Sequence, residues 1–579
     1  MIGQQPIRRA YAMRAMSAAP WLRERKGAVM RERNLQSTAF PTLDESQVGS
    51  LQRCTNAVAR SFHDGDTLFA VGDRNMSFFI VTSGEVEIMD YSGDQPVTVT
   101  VHGKGGFTGD VSHVTGLPAV VSGIARGDCE VYEVSGDALR GALNQCPVIS
   151  DIILQAFIAR RQLLTDSPSF TGLRLIGSRY SPDTFRVRDF LTKNRILFTW
   201  VDVETYPDVD RLLKRFGVTE SDTPVVACGS MVLLRNPSNR QLADAIGIRQ
   251  PLEARVYDLV VVGAGPAGLA AAVYGASEGL RTAVLETSAA GGQAGSSMRI
   301  ENYLGFPTGL TGRELANSAI LQANKFGVHL SVPTPVNRLD FDNAYTVVHL
   351  DGEDETVTAK CLLIATGADY RRLGVEGAER FEGTGVYYAA TVAEAQLCKG
   401  CDVIVVGGGN SAGQAAVFLA AHTRSVLLLL RGDDLYKNMS SYLARRIEQM
   451  QNIEVVRNTT IRRMNGGPHL ESVDIVDSKT GLERTLSTPG VFSFIGAEPR
   501  TSWLPPEIER DERGFVRTGA DLTRSQHWTS SRQPFLLETS RPGVFAAGDV
   551  RSGSVKRVAS AVGEGAMAVQ FVHECLRHM

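Results

Sequence analysis

The most legible pattern lies in the second half of the chain. Leu259-Val-Val-Val262 is an unbroken apolar run, β-branched after its first residue, as expected of a strand buried on both faces. It passes through Gly263-Ala-Gly-Pro-Ala-Gly268 into an Ala-rich stretch that favours helix. Thr282-Ala-Val-Leu-Glu286 is predicted as the next strand. Strand, Gly-rich turn and helix return at Val403-Ile-Val-Val406 and Gly407-Gly-Gly-Asn-Ser-Ala412, the one internal echo in the chain. Upstream, Leu173–Gly177 and 197–203 read as strands, each followed by a helix (to about Asn194, and at 209–216), and another strand opens after Pro224. Before residue 165, short strands and turns precede one long helix, Val148–Leu164. Ser/Pro-containing seams at 166–172 and 248–253 divide the chain into units at 38–165, 170–248 and 255–579, after a basic tail at 1–37 that is expected to be disordered.

At 579 residues the chain is too long for a single core. An apolar fraction of 43% with 21% charged residues is ordinary for a globular protein, and a formal charge of −3 gives no reason to expect nucleic acid as a partner. No apolar run approaches the ~20 residues of a membrane-spanning helix. The Arg-rich, acid-poor tail shares features with transit peptides but carries no signal-peptide core. Eight scattered cysteines make no disulfide framework, so a reducing cytoplasm is expected, and no metal-ligand set is read.

The glycines carry the chemistry. Gly263 suits a tight turn, Gly265 lets a pyrophosphate approach the backbone, and Gly268 lets helix and strand pack closely. Glu286 ends the next strand where a carboxylate accepts from ribose hydroxyls. Gly407, Gly409 and Ala412 repeat the logic. Two dinucleotide folds imply two dinucleotides, with electron transfer between them as the reason to hold both.

Around these turns stand Gly291-Gly-Gln293, Glu301-Asn-Tyr-Leu-Gly-Phe-Pro307, Ala365-Thr-Gly367 and Gly543-Val-Phe-Ala-Ala-Gly-Asp549. In order and spacing, residues 255–579 resemble low-molecular-weight thioredoxin reductases. The resemblance implies FAD held by a domain in two segments (255–372 and 488–579), NADPH rather than NADH held by an inserted domain (373–487), and a homodimer. It places Gly292, Gln293, Asn302, Gly367, Gly548 and Asp549 at the flavin site, with Val558 and Ala559 near the ring. Gly407, Gly409, Asn410, Ser411, Ala412 and Arg431 fall to NADPH, with Arg431 and Lys437 the cations near the 2′-phosphate.

One departure is large. The family's Cys-x-x-Cys-Asp follows a Gly-Val-x-Tyr segment. Here Gly385-Val-Tyr-Tyr388 is followed by Ala389-Ala-Thr-Val-Ala393, which cannot relay electrons as a dithiol. Cys398 and Cys401 have the spacing a few residues on, but a turn leading into the next strand is the favoured reading.

The middle unit resembles glutaredoxin and thioredoxin folds, with Pro224 at the cis-proline position and Ser181-Pro-Asp-Thr184 where Cys-Pro-x-Cys would stand. Both hydroxyls are expected to cap the helix, and neither exchanges disulfides. Residues 38–165 resemble a cyclic-nucleotide-binding β-roll. Gly109 and Asp110 fall at the ribose-binding acid, and Ala119 replaces the arginine expected on the cyclic phosphate, so weak or altered cyclic-nucleotide binding is expected. No helix-turn-helix follows.

The fold class expected is therefore α/β multidomain: a β-roll, a thioredoxin-like unit and two Rossmann-like domains. The function expected is NADPH oxidation through FAD, regulated by the N-terminal domain, with a thioredoxin-like or other redox protein as partner. The alternatives are ferredoxin-reductase- or diaphorase-like transfer to protein, quinone or oxygen, and a non-enzymatic flavin-based sensor.

Overall fold

The computed structural model describes residues 35–579, apart from short stretches at 75, 93–94, 168–171, 229–230, 250–251, 253–255, 343–344, 352–354, 523–524 and 529. Residues 1–34 of the basic tail and parts of both seams lie outside the described residues.

The N-terminal unit is an antiparallel roll. Its long strands Phe78–Asp90 and Ser122–Val134 pair at the centre, flanked by Val58–Phe62, Thr67–Phe69 and Val97–His102. Helices Glu45–Thr55, Gly136–Gln145 and Pro147–Asp166 close one side over Phe78, Phe107, Leu139 and Phe157, all fully buried. Each such side chain contributes roughly 1.5–3 kcal/mol by leaving water.

The middle unit has strand order Phe198–Asp202, Leu173–Gly177, Val225–Cys228, Met231–Arg235. The first pair is parallel and the others antiparallel. The Thr223–Pro224 bond is cis. Ser181 caps helix Pro182–Lys193 by accepting from the Thr184 N–H. Thr184 does not cap as expected: its hydroxyl lies over Gly177 without a hydrogen-bond partner, because the residue sits inside the first turn with its side chain facing the sheet.

The last unit holds two sheets built on parallel strands, the first extended by the antiparallel strands Tyr345–Leu350 and Val336–Asp342. In the first, Val256–Val262 runs between Thr282–Leu285 and Thr356–Ile364, and Val544–Ala546 returns from the chain's end to pair with the latter. The second is ordered Val386–Tyr387, Val491–Ser493, Asp402–Val406, Ser425–Leu429, Ile453–Val456. Val491–Ser493, placed by the 487/488 boundary in the first half, instead pairs inside the second sheet. The return crossing is Ala497–Pro499, which lies antiparallel to the outgoing Ala368–Tyr370. A short apolar strand carries no mark of which sheet it will join.

The middle unit touches both halves. Toward the second, Tyr180 stacks on His469 at 4.9 Å between ring centroids, and Phe185 approaches Tyr387 at 6.2 Å. Toward the first, Arg195 donates to the Ala290 carbonyl at 3.1 Å and Asn194 to the Ser288 carbonyl at 2.9 Å.

Candidate functional site: two Gly-rich turns facing a cleft

The first turn opens at the carboxyl edge of its sheet. Gly263 has φ +105, and a Cβ there would lie 2.4 Å from the Ala365 carbonyl oxygen. At Gly268 a Cβ would lie 1.9 Å from the Gly263 carbonyl oxygen. Gly265 is different: its φ is −73, and an added Cβ would meet no protein atom within 4 Å. The protein leaves open the space where a pyrophosphate would approach helix Pro266–Ser277, whose N-cap carries no side-chain bond. FAD fits this turn.

The other predicted residues gather unevenly. Glu286 is buried and accepts from the Ala264 N–H at 2.8 Å and the Ser288 N–H at 3.0 Å, one on each oxygen. Each oxygen keeps a lone pair for a ribose hydroxyl. Gly292, at φ +56, lies against Gly265, so a Cβ there would be 2.9 Å from the Gly265 Cα. Gln293 donates to the Ala368 carbonyl, and Gly367 has φ +67 beside it. Gly548 packs against Ala267 and donates its N–H to Glu564 at 2.7 Å. Burial pushes the neighbouring Asp549 carboxyl up, Lys556 opposes this and Glu564 adds to it. Val558 and Ala559 open helix Val558–Arg577 close by, whereas Asn302 stands on an exposed loop.

At the second turn Gly407 has φ +143 and lies under the Phe494 carbonyl, with buried Ala412 packed against it, while Gly409, where an added Cβ would meet only the Asn438 carbonyl oxygen at 4.0 Å, leaves the start of helix Asn410–Ala420 open. Asn410 accepts from the Ser440 N–H at 2.7 Å, which fastens loop 431–440 beside the turn. Arg431 and Lys437 are exposed on that loop. Ser411 hydrogen-bonds Tyr370 from the other half, and burial pushes the Tyr370 phenol up. Tyr370 also packs edge-on against Phe494, with centroids 5.5 Å apart. Sequence reasoning missed Tyr370, whose only signal is its place just beyond Ala365-Thr-Gly367. It also missed Arg446, which pairs with Glu301 across the halves at 3.1 Å.

Between the halves is a cavity of about 50 Å³ whose lining includes Ala389, Ala390, Met298, Tyr370, Ser411 and Phe494. Cys398 and Cys401 are not part of it. Cys401 donates its N–H to the Cys398 carbonyl at 3.1 Å, which makes a turn. Cys398 packs with Tyr387, Val403 and Phe492 at 1% exposure. Burial pushes its thiol up to about 12, which keeps it protonated.

In the roll, Asp110 is buried and paired with Arg161 of helix Pro147–Asp166 at 2.7 Å, and it accepts from the Ser112 N–H at 2.9 Å. Burial alone would raise this carboxyl, but Arg161 and the Ser112 N–H, with smaller contacts, hold it below the usual range. The acid expected to face a ribose is held by the chain's own arginine. Gly109 has φ +100, and its carbonyl accepts from Arg160 at 2.7 Å. Ala119 is buried, its backbone bonded to Gly72 and Asp73.

Residues 257–565 match the family model described as pyridine nucleotide-disulphide oxidoreductase. The chain belongs to that family. The oxidoreductase is an NADPH-dependent FAD protein of thioredoxin-reductase-like build. Over 314 residues it is 35% identical to thioredoxin reductase of Treponema pallidum, covering 54% of this chain and 94% of that one. Over 316 residues it is 32% identical to the 34.2 kDa protein in the rubredoxin operon of Clostridium pasteurianum, covering 55% and 96%. The crystal structure of Lactococcus lactis thioredoxin reductase matches with TM-score 0.51 at 29% identity, covering 56% of the oxidoreductase and all of that chain. Residues 59–146 match the cyclic nucleotide-binding domain family, so a domain of that type precedes the reductase unit. Among the described residues no helix is long and apolar enough to cross a membrane.

Proposed function

We propose that the oxidoreductase passes electrons from NADPH, through FAD, to an acceptor that enters the cleft itself, a quinone or another small redox molecule. The observation that carries this reading is the cavity wall at Ala389 and Ala390. Of the two positions where the family has its dithiol, Ala389 and Val392, the first is on this wall, and neither side chain takes electrons or ionises. FAD, when bound, accepts hydride from NADPH and hands electrons on. The chain's own residues hold and orient. The Gly263–Gly268 turn and the following helix take the pyrophosphate, Glu286 the adenosine ribose, and Asp549 the ribityl hydroxyls. Arg431 pairs the 2′-phosphate of NADPH, and Tyr370 and Phe494 keep water from the wall between the two nucleotides.

The middle unit fits a thioredoxin-like fold that serves as a brace, since Ser181 and Thr184 replace both thiols. The roll fits a regulatory domain with an altered ligand pocket, because Arg161 already occupies Asp110. A cytoplasmic setting agrees with the reduced thiols. A pure sensor is the second reading, favoured only by the two appended domains.

The test is anaerobic reduction of the flavin-loaded protein with NADPH, followed by benzoquinone or by an oxidised thioredoxin. Rapid reoxidation by the quinone, unchanged in the Cys398→Ser, Cys401→Ser double variant, is expected. Disulfide turnover that the double variant abolishes would overturn the reading, and flavin that NADPH fails to reduce would favour the sensor.

A further inference from the structure

Both familiar dithiol positions of this chain are blank, yet two of its other cysteines meet. Cys54 lies in the last turn of helix Glu45–Thr55. Cys146 lies at the joint between helices Gly136–Gln145 and Pro147–Asp166. Their sulfurs are 2.7 Å apart, against about 2.05 Å in a formed disulfide, so a bond needs only a small approach. The joint is held still: the Cys146 N–H donates to the Ala142 carbonyl at 2.9 Å, and the Cys146 carbonyl accepts from the Ser150 N–H at 2.9 Å. Cys54 is exposed and Cys146 half-buried. The comparison within the chain is the Cys361/Cys575 pair, which is also in thiol contact but buried where no reagent reaches it.

We propose that Cys54 and Cys146 form a reversible thiol–disulfide exchange site in the roll, with low-molecular-weight disulfides as its oxidant. Cys54, the accessible thiol, reacts first. Its thiolate attacks a disulfide RSSR, the R–S–S–R bond breaks, Cys54–S–S–R forms, and the departing RS⁻ takes up the proton Cys54 gave up. The Cys146 thiol is pushed up by its hydrogen bond to Cys54, so it keeps its proton until that sulfur is capped. The Cys146 thiolate then attacks the Cys54 sulfur, expels the second RS⁻ and passes its proton to it. Two electrons move from the cysteine pair to RSSR, leaving one intrachain disulfide and two RSH. A dithiol reverses the sequence. Disulfides in a reducing compartment are mostly transient ones of this kind. The site adjoins the reductase unit: two residues before Cys146, Asn144 donates to the Lys325 carbonyl at 2.8 Å.

The experiment uses the full-length, flavin-loaded protein. It is reduced with dithiothreitol, desalted, and equilibrated against oxidised and reduced glutathione in stepped ratios. Remaining thiols are then alkylated and peptides mapped by mass spectrometry. The expected result is a Cys54–Cys146 linked peptide that appears with rising oxidised glutathione and disappears on adding dithiothreitol, while Cys361 and Cys575 stay unlinked. Cys54→Ser, at an exposed position, removes the linked peptide and leaves Cys146 alkylated. Cys146→Ser leaves Cys54 trapped as the mixed disulfide with glutathione. The proposal is overturned if wild-type Cys54 stops at the mixed disulfide with Cys146 still alkylated, or if both remain alkylated at every ratio.

Discussion

Gly265 and Gly268 stand three residues apart, and the structure assigns them opposite jobs. A Cβ at Gly268 would lie 1.9 Å from the Gly263 carbonyl oxygen, so Gly268→Ala must push helix Pro266–Ser277 off its strand. Overpacking of that kind costs about 1–3 kcal/mol in the protein itself, with or without ligand. A Cβ at Gly265 would meet no protein atom within 4 Å, at a φ of −73 that alanine readily adopts. Gly265→Ala should therefore change apoprotein stability by less than about 1 kcal/mol, since reduced unfolded-state freedom offsets the poorer N-cap. Its effect should fall on FAD. Keeping a phosphate oxygen away from one backbone N–H forfeits a charge-assisted hydrogen bond of about 1.5–3 kcal/mol, or roughly ten- to a hundredfold in affinity. The assay pairs thermal unfolding of both apoproteins with titration of each by FAD, followed through flavin absorbance. The reasoning fails if Gly265→Ala binds FAD like the wild type, or if it lowers the apoprotein melting temperature as far as Gly268→Ala does.

Arg431→Ala should erode a preference for NADPH over NADH by roughly ten- to a hundredfold, read as the ratio of flavin reduction rates; an unchanged ratio would remove Arg431 from the 2′-phosphate. Arg161→Ala should cost the roll about 3–5 kcal/mol near neutral pH, because it leaves the buried Asp110 carboxylate unpaired. The sign follows from the depressed folded-state carboxyl: in the wild type the pair stabilises above the unfolded value of about 4, and that stability is lost as pH falls through the lower folded value. The deficit of Arg161→Ala should accordingly shrink in acid, and unfolding curves showing the same deficit at every pH would contradict it. Cyclic AMP should bind the full chain no tighter than micromolar, since it must compete with Arg161 for Asp110 and finds no arginine at Ala119; calorimetry giving submicromolar affinity would refute this.

The glycine turns were legible because each demands a residue type that little else can satisfy: positive φ at Gly263, contact with a carbonyl at Gly268, open space at Gly265. The strands around them were legible as short continuous apolar runs rich in valine and isoleucine. Pairings between distant segments left no such mark. Nothing near Asp110 announces Arg161, which reaches it from a later helix, and nothing near Ser411 announces Tyr370. Spacing could also mislead. Cys398 and Cys401 have the interval of a redox pair, but the first is buried behind Val403 and Phe492, and a sequence interval does not record which way a thiol faces.

The middle unit's grip on both halves bears on motion. Among the described residues, Ala368–Tyr370 and Ala497–Pro499 carry the chain between the halves, and a paired two-strand link is a natural axle. A piece fastened on either side of an axle is a strut. Turning one half must unstack Tyr180 from His469, or strip Arg195 and Asn194 from the carbonyls of Ala290 and Ser288. At about 1 kcal/mol for each contact, that sets a resistance on the order of a few kcal/mol. The relatives matched over 94–96% of their own length have no room for such a piece. A swing of the nicotinamide half in this chain would work against that load.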